Sequence, residues 1–109
     1  MDNFKIIYRI LKHLEASMDC VETNTEVISH TALGISYERW EQLLIMLQEN
    51  QYITGIQYAQ TLSEDKAHII KPIYPAITLR GLEYLSENTT TMQRVARLLK
   101  GIKEATPGI

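Results

Sequence analysis

The sequence predicts an α+β domain of the winged-helix kind, a helix-turn-helix with a β-ribbon wing, plus an additional C-terminal helix. Three observations lead there. Apolar residues recur at steps of three and four through much of the first fifty positions. A tight Leu33-Gly34-Ile35-Ser36 linkage joins two of these segments. Beyond Asn50 the pattern changes to two β-rich stretches around a polar tip.

Taken in order, the first helix is expected from about residue 3 to about residue 18, with an uncertainty of two to four residues at each end. Its apolar stripe is Phe4, Ile7, Leu11, Leu14 and Met18, with Ile10 alongside, and either Asn3 or Asp2 can cap it. The polar segment Asp19 to Glu26 reads as a loop. Ser29 is placed to cap a short helix through Leu33, and Gly34 to end it in a left-handed conformation. Ser36 then caps a third helix, with Glu38 in its first turn and Tyr37, Trp40, Leu43, Leu44 and Leu47 as its apolar stripe.

The run Tyr52-Ile53-Thr54-Gly55-Ile56-Gln57-Tyr58 is rich in β-branched and aromatic residues and reads as one strand. Ala67 to Lys71 reads as its antiparallel partner, with Ser63-Glu64-Asp65 near the tip of the ribbon. Pro72 and Pro75 should make the chain peel away near Ile73. Thr78 is a suitable cap for a fourth helix carrying Leu79, Leu82 and Leu85. A last helix is expected to start near Thr90 or Thr91 and to bury Met92, Val95, Leu98, Leu99 and Ile102.

With 109 residues, there is room for one core. A single domain over residues 1–105 with a disordered tail over 106–109 fits the pattern. Hydrophobic residues at 45% and charged residues at 22% exclude a disordered chain. No apolar run approaches the roughly 20 residues of a membrane span, and the start of the chain lacks the regions of a secretory signal. Cys20 is alone, which rules out an intrachain disulfide and suits a reducing cytoplasm, the expected location.

The net charge of −2 hides an uneven distribution. Residues 13–65 carry nine acids against Arg39 alone, whereas residues 66–109 carry seven bases against Glu83, Glu87 and Glu104. Such asymmetry bears on partners more than the total does.

Ile77-Thr78-Leu79-Arg80-Gly81-Leu82-Glu83-Tyr84-Leu85 resembles the I-T-x-x-G-x-x-Y-L segment that closes many bacterial winged-helix domains. Ile77 would plug the core, Thr78 would cap, and Gly81 would permit close packing against the ribbon. Together with Leu33 to Ser36, Trp40, Leu47, Tyr52-Ile53 and the tail from Thr90 to Gly101, these residues make nearly the whole chain similar to the YjcQ family. Those are small winged-helix proteins of Gram-positive bacteria and their phages. The resemblance implies the fold and carries over no site residues.

Two functions remain open. As a DNA-binding or regulatory protein, the chain would contact double-stranded DNA through Arg39 and Gln42 on the third helix, Lys66 and Lys71 of the ribbon, and Arg94, Arg97 and Lys100 of the last helix. The outward face of the third helix is nevertheless acidic, which opposes phosphate contact. As a protein-interaction module, it would use Glu38, Ile45, Met46 and Glu49, where apolar groups fall outside the buried stripe, unless the short helix or the ribbon covers Ile45. A homodimer is compatible with either function.

Enzymatic motifs, cofactor fingerprints and metal-ligand spacings are absent from the sequence, and no small-molecule ligand is evident. His13, His30 and His68 fall on separate elements. A non-enzymatic protein without cofactor or metal is the expectation.

Overall fold

Asp2, not Asn3, opens the first helix: its carboxylate accepts the backbone N–H of Phe4 at 2.9 Å. The computed structural model describes residues 2–88. Helix α1 spans Asn3–Ala16 and runs into a 3-10 turn at Ser17–Asp19. Its buried residues are Ile6, Ile10, Leu11 and Leu14. The expected stripe therefore shifts towards Ile6 and Ile10, and Phe4 and Met18 are exposed at its two ends. Met18 lies beyond the last α-helical turn, so the 3.6-residue period no longer governs where it points.

The loop after α1 is tied back by His13, whose ring Nε2 lies 2.8 Å from the carbonyl oxygen of Asn24. A second 3-10 turn, Thr25–Ile28, leads to the short helix α2, His30–Leu33. Ser29 caps α2 by accepting the Ala32 N–H at 3.2 Å. Gly34 ends it at φ 72°, where left-handed backbone strongly favours glycine. Ser36 then caps α3, Tyr37–Glu49, by accepting the Arg39 N–H at 3.1 Å.

The segment expected to form one strand is divided in two. Strand β1 is Ile53–Thr54 and β2 is Gln57–Ala59. Gly55, at φ 89°, bends the chain between them, and a Cβ there would overlap the Tyr74 carbonyl oxygen. Strand β3, His68–Ile70, pairs antiparallel with β2, opposing Tyr58 to Ile69. After a cis Lys71–Pro72 bond the chain leaves the ribbon, as the prolines led us to expect. It then returns as β4, Ala76–Ile77, which pairs with β1. Sequence patterning missed that second two-stranded sheet, because two-residue strands are too short to show alternation.

Thr78 caps the next helix, α4, which covers residues 79–88. Its hydroxyl accepts the Gly81 N–H at 3.0 Å and donates to the carbonyl oxygen of Gln51. Gly81 lies close against the Tyr52 carbonyl and Ile77, where a Cβ would collide with both. Leu85 is buried, but Leu79, in the first turn, is exposed.

The fold is thus α+β, with helices around two small antiparallel sheets, an arrangement compatible with a winged helix. One core joins α1, the 3-10 turn, α2, α3, the ribbon and α4 through Ile10, Ile28, Leu33, Leu44, Ile69 and Leu85. The last helix expected from Thr90 and the tail over 106–109 lie outside the described residues. Among the described residues, no helix is long and apolar enough to cross a membrane.

Candidate functional site

Helix α3 is held on two sides, and this decides which of its residues face outward. On one side Trp40 enters the core and donates its indole N–H to the Ile28 carbonyl at 2.7 Å. On the other lies a row spaced for one helical face: Glu41, Leu44, Ile45 and Gln48. The ribbon packs along that row. Gln48 exchanges two hydrogen bonds with Ile56, donating to its carbonyl at 2.5 Å and accepting its N–H at 2.6 Å. At the other end Glu41, only 3% exposed, accepts the Ile69 N–H at 2.8 Å through one carboxylate oxygen and meets His68 Nδ1 at 3.0 Å through the other.

This packing corrects the expectation for Ile45. It is 5% exposed and belongs to the core, so it cannot form part of a partner-facing surface. Its neighbours one turn away, Glu41 and Gln48, both bond to the ribbon, and Ile45 is enclosed between them. Met46, one position further round the helix, is 49% exposed, as its place outside the stripe predicts.

The other expected contact residues separate in a similar way. Gln42 is half-buried, and its side-chain amide lies 3.5 Å from the Ala67 carbonyl of the ribbon, which leaves it less free for a base edge than expected. Glu49 is exposed and accepts a 3.3 Å bond from the Tyr58 hydroxyl. Desolvation raises the Tyr58 pKa first, and the Glu49 carboxylate adds to the effect. Glu38 and Arg39 are exposed in the first turn of α3.

Lys66 is exposed immediately before Ala67. Lys71 lies over the aromatic pair of α3, with its Nζ 4.9 Å from the Tyr37 ring centroid and 5.6 Å from that of Trp40. Lys71 is therefore held against the first turn of α3 and Lys66 stands at the other end of the strand beside it, whereas Arg39, two positions from both Tyr37 and Glu41, stands on another side of the helix. The bases of α1, Lys5, Arg9 and Lys12, stand on a helix that contacts β4 and the second 3-10 turn, and Lys12 is paired with Glu15 at 3.1 Å. Arg94, Arg97 and Lys100 lie outside the described residues.

By spacing alone, Glu41 lies near the edge of the buried stripe of α3, and His68 reads as a ribbon side chain. In the structure they meet, and His68 Nε2 lies 2.9 Å from Glu64. The available signal was the Glu41–Leu44–Ile45–Gln48 spacing, which sets two polar residues at the ends of an apolar row. The imidazole sits between the two carboxylates, and no cluster among the described residues is arranged to hold a metal ion.

A family model described as YjcQ protein matches residues 8–105. No curated protein and no solved structure matches the chain.

Proposed function

The chain belongs to the YjcQ family, and from its geometry we propose that it is a cytoplasmic winged-helix regulatory protein that binds duplex DNA mainly through phosphates. The supporting observation is Lys71, held over Tyr37 and Trp40 at the start of α3, with Arg39 exposed in the same first turn and Lys66 exposed where the strand beside α3 begins. Peptide dipoles add positive potential at a helix N-terminus. Ser36 occupies one of the free N–H groups there, that of Arg39.

The same geometry supports phosphate contact over base reading. Gln42 is drawn against the ribbon, and Glu38 and Glu49 flank the exposed strip of α3. Base-edge recognition needs donors free to enter the groove, whereas phosphate contact needs only nearby positive charge. The bases Arg94, Arg97 and Lys100 would add to the same attraction.

Fluorescence anisotropy of a random-sequence duplex tests this reading. Binding is expected at low salt and should fall steeply towards physiological salt, because phosphate contacts release counterions. The double charge reversal R39E/K66E should weaken it by about tenfold or more and flatten the salt dependence. Absence of binding at low salt would remove the proposal.

A protein-interaction module is the second reading, favoured by the exposure of Met46 beside Glu38 and Glu49. An apolar contact with an acidic rim suits a partner with a basic surface, or a second copy presenting its own bases. Under this reading M46E abolishes association and leaves DNA affinity unchanged.

A further inference from the structure

Glu41, His68 and Glu64 connect three parts of the fold: α3, strand β3 and the polar loop before it. Both ring nitrogens of His68 face carboxylate oxygens, at 3.0 Å for Nδ1 and 2.9 Å for Nε2. Ionised carboxylates only accept hydrogen bonds, so both nitrogens can donate only if the ring is an imidazolium. The second oxygen of Glu41 is already taken by the Ile69 N–H. No buried side-chain polar atom among the described residues lacks a partner, and for the enclosed Glu41 one of those partners is the Nδ1 of His68.

We propose that His68 is a proton-dependent clasp that holds the ribbon and its tip loop against α3, so that loss of one proton loosens the ribbon. With a neutral ring, one N–H remains for two carboxylates. The other nitrogen then turns a lone pair towards an anionic oxygen. If the proton stays towards Glu64, the enclosed Glu41 keeps only the Ile69 N–H. If it stays towards Glu41, the loop at Glu64 is released. This device acts on the position of the ribbon and does not depend on what the ribbon contacts.

The charged groups facing His68 are Glu41 from α3 and Glu64 from the loop. Strand β2 opposes it with the uncharged Ala59. Glu38 lies three positions before Glu41, and Asp65 and Lys66 lie within three positions of His68; none of them forms an ion pair with it. The hydrogen bond to Glu41 raises the His68 pKa above its ordinary 6.5, partial desolvation opposes this, and the charges of Glu41 and Glu64 raise it further. For a group raised on folding, the stabilisation is complete below 6.5 and is lost as pH rises through the higher folded value.

NMR titration of the His68 ring and the Ile69 amide, in the wild type, E64Q and H68N, tests the clasp. His68 should titrate above 6.5, and the Ile69 amide should follow with the same midpoint. Glu64 is on the surface loop, so E64Q should keep the fold and move the midpoint down towards 6.5. Protection from solvent exchange, corrected for the intrinsic pH dependence, should fall above the midpoint in wild type at the Ile69 amide or at the loop amide of Glu64, and stay low throughout in H68N. A wild-type midpoint at or below 6.5, or Ile69 and Glu64 amides both equally protected on the two sides of it, would overturn the proposal.

Discussion

Ile45 and Met46 are adjacent in sequence and have opposite surroundings, the first enclosed under the ribbon and the second open to solvent. Replacing Ile45 with alanine should destabilise the domain by about 2–4 kcal/mol, since a buried branched side chain leaves a cavity that relaxes only partly. The same change at Met46 should stay within about 0.5 kcal/mol. Urea unfolding of the two variants measures both. Equal losses would mean that the ribbon does not cover Ile45 as described. Met46 was legible because it lies clear of the stripe through Trp40 and Leu47. For Ile45 the sequence left exposure and cover by the short helix or the ribbon equally open, because the stripe alone does not reveal that α3 packs against two bodies and so buries a wider arc.

At the scale of elements, local chemistry marked the boundaries well. Ser29, Ser36 and Thr78 cap the helices where their side chains suggest, and Gly34 ends α2. The strands were less legible. A β-rich run from Tyr52 to Tyr58 gives no hint that its two halves pair with different partners, because pairing depends on where residues 71–77 return. Gly55 was the one local clue, as glycine within a strand often marks a bend or a close backbone approach. Gly55→Ala should cost more than about 1 kcal/mol, since the new Cβ meets the Tyr74 carbonyl at an unfavourable positive φ. A shift of the urea midpoint to lower concentration at unchanged slope would show this directly. An unchanged midpoint would mean the bend between β1 and β2 is not constrained as described.

Over the whole molecule, the formal charge of −2 predicts little, and the placement of charges predicts more. The acid-rich middle of the chain was visible in the sequence. Its division was not: Glu41 is used inside the fold, Glu64 joins it through His68, and Glu38 remains at the surface beside Arg39. Long-range pairing across the ribbon made that division, and periodicity along one helix carries no information about it. As pH rises above 6.5 and through the raised value of His68, the ribbon should therefore become looser, and contacts made through Lys66 should weaken together with it.

If phosphates are met beside the first half of α3, backbone amide shifts on adding a short random-sequence duplex at low salt should concentrate at residues 36–42 and 66–71 and be reversed by added salt. No shifts at low salt, or shifts that avoid both segments, would contradict that placement.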